Sequence, residues 1–130
     1  MILHGRSIFA GDVQGIALVT GMAISFFGGV DPDSGVIVEN GHELEGKCIQ
    51  DRVLVFPTGK GSTVGSYTLY RLKANGKAPL AIINAACEPI TAVGCIIAEI
   101  PCIDRVDIQC LKTGDQLHVD AGAETVTVLG

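Results

Sequence analysis

Apolar residues along the chain gather in short runs broken by Gly, Asp, Asn and Pro, the punctuation of strands joined by turns. Runs rich in Val, Ile and Leu predict strands near residues 2–9, 15–20, 36–39, 53–56, 80–84, 106–110, 116–120 and 124–128. Two stretches have a different rhythm. Over residues 62–74, STVGSYTLYRLKA spaces Val64, Thr68, Leu69 and Leu72 about three or four apart, which predicts a helix starting at Ser62 and ending near Asn75-Gly76. Over residues 88–100, EPITAVGCIIAEI has Pro89 in the first turn, a long apolar run, and Pro101 as a stop. It predicts a second, largely buried helix. Strands before, between and after two helices predict a small mixed α/β domain with helices covering one side of a sheet. The turn-rich stretch 28–40, GGVDPDSGVIVEN, predicts a surface loop leading into a short strand, and it is the first candidate for ligand contact.

Composition narrows this picture. At 130 residues the chain suits a single domain, residues 1–130, without internal repeat or linker. With 48% hydrophobic and 18% charged residues it is expected to fold compactly. A net charge of −5 without a basic cluster argues against nucleic acid and anionic membranes as partners. The first residues lack the pattern of a signal peptide, and no segment supplies the ~20 apolar residues needed to span a bilayer. A cytoplasmic protein is expected. Cys48, Cys87, Cys95, Cys102 and Cys110 form no Cys-x-x-Cys pair and are odd in number, so neither a disulfide framework nor a self-contained metal site is expected. They read as small buried hydrophobes. The rival reading is that the last four, spaced seven or eight apart, converge in space.

The richest candidate for chemistry is Pro57-Thr58-Gly59-Lys60-Gly61-Ser62-Thr63, between the apolar strand at 53–56 and the first helix. Strand, glycine turn and helix start make an anion-binding geometry: free N–H groups and the positive end of the helix dipole point at one place. A nucleotide-binding P-loop is excluded, because Leu54 stands where that pattern needs Gly and Gly61 where it needs Ser or Thr. The alternative is that Ser62 or Thr63 only caps the helix. Ser66, four residues after Ser62, would share its face of the helix, and Tyr67 reads as packing. The acidic positions Asp31, Asp33, Glu39, Glu43 and Glu45 lack calcium-loop spacing and read as a solvated face. His4 and His118 have no motif around them.

A succession of short motifs adds to this. Ser25-Phe26-Phe27-Gly28-Gly29-Val30-Asp31-Pro32, Gly35-Val36-Ile37, His42, Arg52-Val53-Leu54-Val55, Gly59-Lys60-Gly61-Ser62, Ser66 and Ala78-Pro79 follow in order over most of residues 15–100. This order resembles the small-subunit pattern of the aconitase X family of hydro-lyases. The resemblance implies a swivelling β/β/α domain, like the mobile domain of aconitase, docked as a heterodimer on a larger catalytic subunit that holds an iron–sulfur cluster. This chain would bind no metal or cofactor of its own. The family's serine in its Gly-(Arg or Lys)-Gly-Ser element falls on Ser62, implied to act as the proton acceptor.

The implied reaction is loss of water from a phosphorylated hydroxy acid, (R)-5-phosphomevalonate, giving trans-anhydromevalonate 5-phosphate in an archaeal mevalonate pathway. A related branch acts on cis-3-hydroxy-L-proline, and a non-catalytic binding or assembly domain is the reading from another class. Elimination needs a base for a weakly acidic proton beside a carboxylate. A serine needs help in that role, which helix amides and the cation of Lys60 would supply. Relatives often carry Arg at that position, a planar fork where Lys60 offers a point charge. Substrate contacts are expected from Ser25, Gly28 and Gly29 on one side of the site and from Lys60, Gly61, Thr63 and Ser66 on the other. Phe26 and Phe27 are divided between core and site. His42 stands where many relatives show His-Pro-Leu, with Glu43 in place of the proline, and is a further candidate.

Overall fold

The computed structural model describes residues 1–129. Among them the elements run β1 (Ile2–His4), β2 (Arg6–Phe9), β3 (Asp12–Val19), β4 (Val53–Phe56), α1 (Gly65–Ala74), β5 (Ala81–Asn84), α2 (Pro89–Ala98), β6 (Cys102–Asp104), β7 (Gln116–Asp120) and β8 (Thr125–Leu129). A 3-10 turn spans Ile108–Cys110. The strands form a ribbon in the order β1-β8-β7-β3-β4-β5-β6-β2. From β3 through β6 the neighbours are parallel, and the remaining pairs are antiparallel.

Two bends turn this ribbon into layers. β3 pairs with β7 through residues 12–16 and with β4 through residues 17–19, so one strand serves two layers. At the far ends of the order, β1 and β2 are the halves of one strand interrupted by Gly5. Glycine is required near each bend. A Cβ on Gly5 would lie 2.4 Å from the Asp104 carbonyl oxygen, and one on Gly15 would lie 2.7 Å from Leu80 Cδ1. Arg6, just past the bend, forks onto the buried Asp104 carboxylate with two bonds of 2.9 Å, and the Cys87 amide donates to the same group at 2.9 Å.

The central strands are buried on both faces, which is why β4 and β5 read as unbroken apolar runs. Val53, Val55, Ala81, Ile83 and Ile103 point into a core shared with Leu117, Val119 and Val126 of the outer strands. Leu54, Phe56 and Ile82 point the other way, into a core closed by Leu69 and Leu72 of α1 and Cys95 of α2. The result is three layers, β/β/α. The helices meet closely because Gly94 sits on Leu69, where an added Cβ would come within 2.5 Å of Cδ1. Ser66 donates to the Ile90 carbonyl at 2.6 Å across the same seam.

Several predicted elements shift. Residues 36–39 form only isolated bridges, Val30 with Ile37 and Val36 with Cys48, because the chain there pairs with itself in a compact loop. The strand expected at 106–110 lies earlier, at Cys102–Asp104. It ends where Arg105 turns to φ 58, and residues 108–110 coil into the 3-10 turn. The first helix begins at Gly65 rather than Ser62, and the second spans only Pro89–Ala98 before Glu99 ends it in a left-handed conformation. Among the described residues no helix is long and apolar enough to cross a membrane.

Candidate active site

Three loops meet at the carboxyl ends of parallel strands β3, β4 and β5, where ligands gather in parallel α/β sheets. The loop after β3 and the loop after β4 run side by side. Ile24 bridges Gly59, the Ile24 amide donates to the Thr58 carbonyl at 3.3 Å, and the Lys60 amide donates to the Ile24 carbonyl at 3.0 Å. Gly61 adopts φ +93 and presses so closely on the first loop that a Cβ there would lie 2.5 Å from Ser25 Oγ. Gly59 backs onto the third loop: a Cβ there would meet Glu88 Oε1 at 2.2 Å and Thr91 Oγ1 at 2.3 Å. Glu88 is the N-cap of α2, its carboxylate accepting from the Ile90 and Thr91 amides at 2.7 Å each. The two glycines seat the Gly59–Ser62 turn on a capped helix on one side and on Ser25 on the other.

Ser62 is exposed at the end of that turn. Its carbonyl accepts from the Gly65 amide at 2.9 Å, and its Oγ accepts from the Val64 amide at 3.1 Å. A single tight turn therefore precedes α1, whose N-cap is Val64 without a side-chain cap, so neither Ser62 nor Thr63 caps the helix and the serine hydroxyl sits just ahead of its amide end. The bond has a chemical direction. An amide donating to Oγ stabilises negative charge on that oxygen and leaves the hydroxyl proton free to point outward. Thr63 is exposed beside it. Lys60 Nζ lies 3.0 Å from Glu39 Oε2 and is paired there, so the cation bridges the turn to the loop after β3.

A family model described as the aconitase X swivel domain matches residues 2–128. The chain belongs to that family. Phosphomevalonate dehydratase small subunits are similar over nearly their whole length. The one from Methanosarcina acetivorans is 53% identical, covering 91% of this chain and 84% of its own, and the one from Thermococcus sibiricus is 49% identical with 98% of each covered. The crystal structure of Thermococcus kodakaraensis aconitase X in its holo-form superposes with a TM-score of 0.99 at 46% identity, over 100% of this chain and 99% of that one. A 3-isopropylmalate dehydratase from Methanocaldococcus jannaschii shares the fold with a TM-score of 0.67 at 18% identity, over 91% of this chain and 76% of that one.

In this aconitase X swivel domain the predicted site residues separate into two groups. Ser25, Lys60, Gly61, Ser62 and Thr63 come together around the turn. Gly28, at φ +81 with open space around its Cα, is exposed on the same loop as Ser25, whose hydroxyl donates to the Phe27 carbonyl at 3.0 Å. Gly29 is buried instead, and a Cβ there would lie 2.1 Å from the Ser25 carbonyl oxygen, so it shapes the loop rather than offering it to a ligand.

Ser66 and His42 belong to the scaffold. Ser66 faces α2, because the helix starts three residues later than expected and its buried face is set by Leu69 and Leu72. His42 is only 4% exposed, with Nδ1 accepting from the Leu44 amide at 3.0 Å and Nε2 3.1 Å from the Ala23 carbonyl. The ring is a staple within the long loop. Of the phenylalanines, Phe26 packs edge-on against Phe56 at 5.8 Å while Phe27 is exposed.

Two residues were missed by sequence reasoning. Glu39, read as a solvated acid, is the partner of Lys60, and no local signal could show a pairing across 21 residues. Glu88 had a visible signal, an acid directly before a helix-opening proline, but its role in seating Gly59 needed the fold.

The donor set of this chain does not fit an iron–sulfur cluster. Cys87, Cys95 and Cys102 do converge, with Cys87 and Cys102 sulfurs 3.9 Å apart. The bond with Cys102, then burial, pushes the Cys87 thiol upward; the Cys87 bond lowers Cys102, but the Cys95 bond and burial outweigh it and push that thiol upward too, away from the thiolate form a metal needs. Cys48 and Cys110 lie apart and exposed. Among the described residues no cluster of His, Cys, Asp and Glu could hold a metal ion.

Glu43 closes the same long loop. It accepts from the Thr20 hydroxyl and, at 2.8 Å, from the Gly21 amide, and these two bonds hold its carboxyl below the ordinary value of 4.5. A depressed folded pKa means that the folded state binds fewer protons. This anchoring is therefore complete above pH 4.5 and is lost as pH falls through the lower folded value. Limited proteolysis between residues 20 and 51 is expected to quicken in that acid range, and Glu43→Gln is expected to flatten the pH dependence while raising the cleavage rate at neutral pH.

Proposed function

We propose that this chain is the small subunit of a heteromeric hydro-lyase that converts (R)-5-phosphomevalonate to trans-anhydromevalonate 5-phosphate with loss of water. The observation that carries the reading is the exposed Ser62 hydroxyl held by a helix-opening amide, in a chain about half identical to named phosphomevalonate dehydratase small subunits. The chain acts as one swivelling domain, residues 1–130, over a large subunit, and the iron–sulfur cluster is assigned to that subunit. The enzyme works in the cytoplasm, where a charged phosphorylated substrate is retained.

The chemistry divides between the chains. Ser62, as alkoxide, takes the proton beside the substrate carboxylate while hydroxide departs from the next carbon. The Val64 amide already donates to the oxygen that bears this charge, so the stabilisation is pre-arranged. The turn at Gly61, Ser62 and Thr63 presents backbone to an anionic group of the substrate, with Ser25 and Gly28 opposite. Lys60 is the nearest cation of the turn, and an arriving carboxylate or phosphate competes with Glu39 for it.

The test is to purify the chain with its large subunit and follow phosphomevalonate and cis-3-hydroxy-L-proline by mass spectrometry. Consumption of phosphomevalonate with loss of one water is expected, and in D2O the reverse hydration introduces deuterium beside the carboxylate. Turnover of hydroxyproline alone would move the chain to the other branch. No turnover of either by an assembled, cluster-loaded pair would favour a binding or assembly domain.

A further inference from the structure

The α-layer carries an apolar groove that the catalytic reading does not use. Pro89, Val93 and Ile97 form an i, i+4, i+8 ridge on α2, and Tyr67 of α1 with Thr63 of the turn before it forms the facing ridge; together with Ser66 and Ile90 they line a cleft of ≈ 430 Å³. Tyr67 is 68% exposed, Val93 49% and Ile97 44%. The opposite face of α2 is uncharged too, with Thr91, Gly94, Cys95 and Ala98 buried against the sheet and α1. No charged residue lies between Pro89 and Ala98. A helix apolar all round is normally enclosed, and a patch of this kind on a soluble chain marks an interaction surface. The exposed Ile2 and Ile16 differ, since each lies in the outer β layer among polar side chains such as His4, Gln14 and Gln116.

We infer that this groove is the seat of the large subunit, which inserts an uncharged aliphatic or aromatic ridge between α1 and α2. The inference rests on the small-subunit reading above. Position selects the occupant. The groove begins at Thr63, the residue after Ser62, so a body that closes over Ser62 and excludes water from it also covers the groove. A second copy of this chain on the same face would bury two Ser62 turns against each other and shut both away from substrate. Phe27, 53% exposed and lying near Gly65 at the start of α1, extends the apolar rim to the other side of the turn.

The test measures affinity of the purified full-length chain for its large subunit by titration calorimetry. Val93→Asp, Ile97→Asp and Tyr67→Glu place a charge on either ridge, and Ile2→Asp is the control on the outer layer. Circular dichroism melts select the variants that fold. Tyr67, the most exposed position, keeps the test alive should a change on α2 unfold the chain. Weakening of Kd by about 100-fold in the groove variants, with Ile2→Asp unchanged, is the expected result. Wild-type affinity in folded Tyr67→Glu or Ile97→Asp would overturn the inference. So would sedimentation showing a dimer of this chain that Ile97→Asp dissolves while affinity for the large subunit is unchanged. Failure of the functional reading looks different: the wild-type pair assembles through this groove yet leaves phosphomevalonate untouched.

Discussion

Ser62→Ala is expected to lower kcat of the assembled pair by about 10³-fold, within the range for loss of a positioned base. Substrate binding is expected to hold within a few-fold, because the backbone of Gly61 and Thr63 is unchanged, and the pair should assemble normally. The structural penalty is small. Ser62 is exposed, and its hydroxyl accepts one amide bond, from Val64, so the variant loses about 1 kcal/mol with that hydrogen bond. The decisive measurement is substrate deuterium exchange beside the carboxylate, which reports proton abstraction apart from loss of hydroxide. Exchange is expected to disappear in Ser62→Ala. Ser62→Cys, which restores an ionisable group on the same atom path, is expected to recover part of it. Undiminished turnover in Ser62→Ala would remove this residue from the chemistry and leave it only the hydrogen-bond acceptor of the turn before α1.

The second large effect is expected at a residue that touches no substrate. Gly59→Ala drives a methyl group into the Glu88 carboxylate and the Thr91 hydroxyl. Glu88 cannot move without releasing the two amides it caps, so either α2 loses its cap or the Ser62 turn is lifted off the helix. Loss of the cap costs about 1 kcal/mol and the overpacking about 1–3 kcal/mol. Urea unfolding of the isolated chain should show a loss in that combined range. Displacement of the turn by ~1 Å is expected to reduce kcat/KM by about 10²-fold. Gly21→Ala is the control, since a Cβ there meets nothing within 4 Å and φ is not positive. Equal effects from both substitutions would mean that contact with the α2 cap does not position Ser62.

The parts of the fold visible in the sequence are those whose signal is local. β4 and β5 read as strands because burial on both faces makes them continuously apolar, and α2 was bracketed by Pro89 and Pro101. The three-residue β6 was missed because its side chains also look like a continuation of the apolar helix before it. Residues 36–39 read as a strand on β-branched composition alone, but they lack a neighbouring strand with which to extend a ladder. The site divides along the same line. The motif around Ser62 is local, whereas the contact of its turn with Ser25, the burial of His42, the turning of Ser66 toward Ile90 and the pairing of Lys60 with Glu39 depend on tertiary contacts that no spacing encodes.

The bent first strand bears on how the chain fares while it waits alone. Since β1 and β2 are halves of one segment placed at both ends of the ribbon, the terminal strands are only three and four residues long. Strand-by-strand recruitment of another chain, the route to fibrils and swapped oligomers, has almost no template there. An orphaned copy is therefore expected to fail by loose, reversible clumping that mild detergent disperses, rather than by growth of cross-β fibres that bind thioflavin.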